Sequence, residues 1–189
     1  MALAAALWVT TSVDARATIS VTVTYDDLLQ RANAVAVVVP LDRRGVWEDG
    51  RIVTYTHVRV ERLVAGHLRG EVWVRTFGGS VGHIGQIVEG EATFSQAEAS
   101  LVFLHLHGQA TGASSGVFGV VEGAQGQFTV VTSGGESPRL AAARGVGALV
   151  PPPGSPRLAR DMLVGRSVED AVREINAAWT HFHSSSEAQ

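Results

Sequence analysis

The 189-residue chain contains no cysteine and no lysine. Without cysteine there can be no disulfide, no thiolate nucleophile and no cysteine-ligated zinc, so any metal would need histidine and carboxylate ligands. Without lysine, Schiff-base chemistry and the phosphate-gripping lysine of a P-loop are excluded. All fifteen basic residues are arginine, a bias that a GC-rich genome alone would produce. Positive charge is also scarce overall: the formal net charge is −3 and the pI about 6.1. Such a chain offers little counterion release to a polyanion, and nucleic acid is not an expected partner. Long hydrophobic runs are missing too. The apolar stretch Met1 to Val13 falls short of the roughly 20 residues that a bilayer demands, so no membrane span is expected.

That first stretch is followed by Ala15-Arg16-Ala17, an A-x-A cleavage pattern. Residues 1–17 therefore read as a secretory signal peptide that lacks a positively charged start, and the protein as exported to the periplasm or beyond. Residues 18–150 read as a β domain, and residues 151–189 as a proline linker, helices and a polar tail.

Within the β part, Thr18 to Val23 alternates like an edge strand, and Thr24 is placed to cap a short helix with Asp26 and Asp27 in its first turn. Leu28, Leu29 and Ala32 would face the core. Ala34 to Val39 is an almost continuous apolar run, expected to be a central strand stopped by Pro40. Trp47 to Gly50 carries Asp49-Gly50, a strong hairpin signal. The next strand puts Thr54, Thr56 and Val58 on one face and Val53, Tyr55, His57 and Arg59 on the other. Glu71 to Phe77, Leu101 to His107, Val117 to Val121 and Gln127 to Val131 complete six or seven short strands separated by turn signals. The expected fold is mainly β, a small barrel or sandwich with a short N-terminal helix.

After the prolines at 151–153, Ser155 and Pro156 could begin a short helical turn, and Ser167 with Asp170 forms a capping-box pattern. Val168, Ala171, Val172, Ile175 and Trp179 then recur at helical spacing. This C-terminal helix is amphipathic and is expected to dock on the β domain; the tail from His181 is expected to fray.

The order of elements, with the long alternating strand Ile52 to Leu63, the Ala65-Gly66 turn and the later Leu101 to Leu104 run, resembles the OB-like barrel of netrin and tissue-inhibitor modules. More closely, Phe77-Gly78-Gly79, Ile84 to Gly90 and Val120 to Phe128 look like a family of exported bacterial proteins without an assigned active site, over roughly Tyr25 to Val131. That resemblance implies an OB-like barrel and export. The inhibitor modules act through a cysteine at the mature N-terminus. This chain has none, so a protease-associated, inhibitor-like role is an alternative without its usual mechanism.

The glycine-rich stretch Gly78 to Gln86 reads as a loop and as the natural binding loop of a barrel, with Trp47, Phe77, Gly79, His83 and Gln86 as candidate contact residues. Trp73 alternates within a strand and is expected to pack. The loop lacks the following helix that a phosphate cradle requires. His105 and His107 stand two apart on a strand and project to one side, a two-imidazole zinc platform to which His83, His181, His183, Glu98 or Glu122 could add a ligand. The competing reading puts both imidazoles toward solvent and Val102, Leu104 and Leu106 in the core. Gly112 to Gly116 matches G-x-S-x-G, which would make Ser114, Asp161 and His181 a triad. A loop leading into a strand is the wrong context for a nucleophile elbow. The residues favour a non-catalytic exported module with a protein partner and no cofactor; the alternative is a histidine-based zinc protein or hydrolase built on His83, His105 and His107.

Overall fold

The computed structural model describes residues 19–108, 116–151, 153–154 and 157–184. Residues 1–17, expected to be a signal peptide, together with Ser114 and the expected turn start at Ser155 and Pro156, lie outside the described residues. The chain opens on β1 (Ile19–Val21). Thr24 then caps α1 (Tyr25–Arg31), its hydroxyl accepting from the amide of Asp27 at 3.0 Å. β2 (Ala34–Glu48) and β3 (Arg51–Gly66) form a long hairpin closed by Asp49 and Gly50, whose φ angles of 47° and 77° are the left-handed pair that a two-residue turn needs. There follow β4 (Glu71–Phe77), β5 (Gly79–Val81), β6 (Ile84–Gln86), β7 (Ser100–Gly108), β8 (Val117–Val120), a single 3₁₀ turn (Gly123–Gly126) and β9 (Gln127–Val131). β10 (Arg139–Ala142), β11 (Ala148–Val150), α2 (Ala159–Leu163) and α3 (Val168–Ser184) complete the order.

Seven strands make one sheet, in the order β10-β9-β7-β2-β3-β4-β8, and β8 also pairs with β7. The strands β2, β3, β4, β8 and β7 thus close a ring of five, so of the barrel or sandwich expected from the sequence the closed arrangement is the one present. β7 gives one edge to β2 and divides the other, Ser100 to Val102 pairing with β9 and Leu104 onward with β8. β1 and β11 form a separate parallel pair.

Pro40 does not stop its strand. β2 continues through Glu48, and the register jumps from Pro40 opposite Val58 to Asp42 opposite His57, leaving Leu41 as the extra residue of a bulge. A proline has no amide hydrogen to give a ladder, and a bulge is where a strand tolerates that loss while gaining the twist a closed ring requires. Gly78 to Gln86 is likewise not an open loop. β5 and β6 pair there as a small antiparallel hairpin, Gly79 opposite Gln86.

Two apolar clusters follow from the alternation. Ala36, Val38, Val58, Val72, Val74, Val102, Leu104 and Phe118 fill the barrel interior, with Phe94 among them. Val35, Val37, Leu101 and Phe103, of opposite parity on the same strands, and Phe128 of β9 face outward and are covered by Leu28 and Leu29 of α1, Leu163 of α2 and Ala171, Val172 and Ile175 of α3. The C-terminal helix is therefore part of the packed core. Ser167 accepts from the amide of Asp170 and donates to its carboxylate, closing the expected cap. The helix runs on through His183, which stacks on Trp179 at 3.8 Å, where fraying was expected. Among the described residues no helix is long and apolar enough to cross a membrane.

Candidate functional site

The helices cover one outer face of the barrel and leave another half-exposed. On β2, β3 and β4, residues paired across the ladder share a face, so the register stacks Val46, Val53 and Phe77 in one row. Arg44, Tyr55 and Arg75 form the next row, and Asp42, His57 and Trp73 the one after. All point away from the barrel interior, because the alternate residues Thr54, Thr56, Val58, Val72 and Val74 point into it. Tyr55, His57, Trp73, Arg75 and Phe77 are each half-buried.

These side chains are organised by contacts among themselves. The His57 and Trp73 rings stack, 4.7 Å between centroids, and the His57 Nε2 lies 3.0 Å from a Glu71 carboxylate oxygen. The Arg44 guanidinium sits 5.3 Å from the Trp73 ring centroid and 5.7 Å from that of Tyr55. Arg51 and Arg75 lie over Phe77, at 5.4 and 4.7 Å. Glu48, at the hairpin tip, takes a hydrogen bond from the Tyr55 hydroxyl at 2.6 Å, and Arg75 donates to its other oxygen at 2.8 and 3.1 Å. The Tyr55 hydroxyl and then Arg75 hold the Glu48 carboxyl below the usual carboxylate range, while burial and Glu48 push the Tyr55 phenol up. Arg44 and Arg51 pair with no carboxylate among the described residues. The hairpin end of this face thus gathers Arg44, Arg51 and Arg75, with Glu48 and Glu91 close to Arg75, and flat rings hold the guanidiniums in place.

Of the residues expected from sequence, Phe77 belongs to this face and Trp73 packs on it against His57. Trp47 lies opposite Ile52, on the other parity of the hairpin, and is about half exposed, 51%. Gln86 is structural: its side-chain carbonyl accepts from the Ile52 amide at 2.7 Å, tying the small hairpin to β3. Gly79 is also a packing position, with φ 114°, and a Cβ there would meet the Thr54 hydroxyl at 2.0 Å. His83 is exposed at the turn of the β5–β6 hairpin.

His105 and His107 lie together, 6.3 Å between ring centroids, on the outer side of β7. His105 rests over Gly119 of β8, where a Cβ would come within 2.5 Å of its ring, and burial followed by the charge of His107 lowers its pKa. Val102 and Leu104 point inward as expected, but Leu106 is 52% exposed at the barrel end. Among the described residues no three of histidine, aspartate or glutamate are grouped to hold a metal, so His83 and the tail histidines are not brought to this pair. Asp161 lies on α2 and His181 on α3. Sequence reasoning missed the Tyr55, His57 and Arg44 cluster; alternation assigned Tyr55 and His57 to one face without showing whether helices would cover it. No family model matches the chain, and neither a curated protein nor a solved structure was found to be similar to it.

Proposed function

We propose that this chain is a non-catalytic binding module, working outside the cytoplasm, whose outward β3–β4 face receives a protein partner. The observation that carries the reading is Trp73, held between His57 and Arg44 on an outward sheet face whose rings stay half-exposed. Tryptophan, tyrosine and arginine are the residue types that dominate binding energy at protein interfaces. Their arrangement here is pre-organised, which lowers the entropy cost of docking. Arg44 and Arg51 favour a partner that lays a carboxylate-bearing segment across the hairpin end of the face. Export is supported by the Ala15-Arg16-Ala17 pattern and by the resemblance to exported proteins. A zinc-dependent reading would rest on His105 and His107 alone.

The test compares two immobilised proteins, the native sequence and a Trp73→Ala, Arg44→Ala variant, for capture from the native extracellular fraction. A protein retained by the first and released by the second is the expected outcome. Identical retention by both would sink the proposal.

A further inference from the structure

The bulge at Leu41 changes which residues of β2 face the barrel interior. Up to Pro40, which stands opposite Val58, the even-numbered Ala36 and Val38 point inward. One extra residue inverts the alternation. Beyond the bulge Arg43 stands opposite the inward-pointing Thr56, and Asp42 stands opposite the outward-pointing His57. Asp42 is occupied on the main chain, its carboxylate accepting from the Arg43 amide at 2.7 Å. Arg43 is thus an arginine turned to the mouth of the barrel, on the other side of the sheet from the Tyr55 and Trp73 rings, and it pairs with no carboxylate among the described residues.

A half-open cavity of about 240 Å³ lies at this mouth, lined by Arg43 and Thr56 and walled on its apolar side by Pro40, Leu41 and Phe94. Phe94 is 6% exposed and continuous with the interior cluster. Thr56 is 2% exposed, and its hydroxyl has no hydrogen-bond partner among the described residues. A buried hydroxyl without a partner costs stability, and the cavity that Thr56 lines is where a partner can reach it. Side chains directly opposite on paired strands start about 5 Å apart, so a single ligand group can meet both Arg43 and Thr56.

From this we infer that the barrel mouth binds a small monocarboxylate with an apolar tail. The ligand carboxylate accepts from the planar Arg43 fork, a charge-assisted pair, and from the Thr56 hydroxyl. The tail then lies against Pro40, Leu41 and Phe94, removing apolar surface from water. An inorganic anion would meet the two polar groups and leave that wall wet. A neutral apolar molecule would cover the wall and leave the arginine without a counter-charge. The size agrees, because 240 Å³ corresponds to about eight water volumes, and hexanoate and benzoate have about eight or nine heavy atoms. Barrel mouths are common places for such pockets.

Isothermal titration of the full chain with benzoate and hexanoate, beside benzamide, hexanamide and inorganic phosphate, tests this directly. The expected result is saturable binding of both carboxylates, at least about tenfold tighter than the amides, which keep the shape and lose the charge, or phosphate, which lacks the tail. Arg43→Gln should weaken benzoate binding at least about tenfold and Thr56→Val about fivefold. Arg43 is exposed and should leave the urea midpoint unchanged. Thr56→Val separates a ligand-binding hydroxyl from a structural one: a hydroxyl that bonds nothing in the protein can be removed with the midpoint unchanged or raised. Absence of carboxylate binding up to about 10 mM, equal binding of the amides or of phosphate, undiminished binding by Arg43→Gln, or a lowered midpoint for Thr56→Val would overturn the inference.

Discussion

The two outer faces of this barrel are built on neighbouring strands with the same alternation, yet one is buried under three helices and the other stays half-exposed. The covered face presents Val35, Val37, Leu101, Phe103 and Phe128, all between 0% and 7% exposed. None of them has a polar atom to satisfy, so helices can lie on them without cost in hydrogen bonds. The half-exposed face presents Tyr55, His57, Trp73, Arg75 and Phe77. Four of these carry a hydroxyl, a ring nitrogen or a guanidinium, and each remains partly in water with its apolar body packed on a neighbour. Alternation decides which residues share a face. Side-chain chemistry decides whether the chain covers that face itself or leaves it for another molecule.

The comparison breaks most visibly on the covered face. Phe103→Ala should cost about 3–5 kcal/mol, read as a large fall in urea midpoint, because Phe103 is fully buried and meets Phe128 edge-on at 6.3 Å. On the half-exposed face the order of effects reverses. Trp73→Ala should cost the fold only about 1 kcal/mol through its lost stacking, while partner binding falls by at least about 2 kcal/mol, roughly thirtyfold. Arg44→Ala sharpens the contrast further. Its midpoint should stay within about 0.5 kcal/mol of the native protein, with a measurable loss of binding in the same capture experiment.

The smallest expected effect is the pH dependence of stability. The folded-state pKa of Glu48 is depressed by Tyr55 and Arg75, so its contribution is present above the ordinary glutamate value of about 4.3 and is lost as pH falls through the folded value. His105 is depressed by burial, and its contribution fades as pH drops below about 6.5 toward its own folded value. Thermal melting between pH 7 and pH 3 should therefore decline in two stages. Glu48→Gln should flatten only the lower one, and an unchanged lower stage would show that the Glu48, Tyr55 and Arg75 cluster does not form.

Much of the fold was legible from local signals with a direct physical cause. Thr24 and Ser167 declare helix starts because each is followed three residues later by an acid, and Asp49-Gly50 declares its hairpin through the left-handed backbone it tolerates. Pro40 misled because its missing amide usually ends a strand, whereas here the bulge at Leu41 absorbs it. The β5–β6 hairpin was hidden by glycines that interrupt alternation, and β10 and β11 are only four and three residues long. The candidate face was half legible. Tyr55 and His57 could be assigned to one side of a strand, but which side the helices would cover depends on ring closure, a property of non-local pairing.

The central claim is that the β3–β4 face is a contact surface. Its most direct test is site-specific photo-crosslinking in the producing cells, with Tyr55→p-benzoylphenylalanine set against Val131→p-benzoylphenylalanine, an exposed position on β9. The account predicts a discrete protein adduct from position 55 that disappears when Arg44→Ala and Trp73→Ala are added, and no such adduct from position 131. The same adducts from both positions, or an adduct at 55 indifferent to those substitutions, would contradict it.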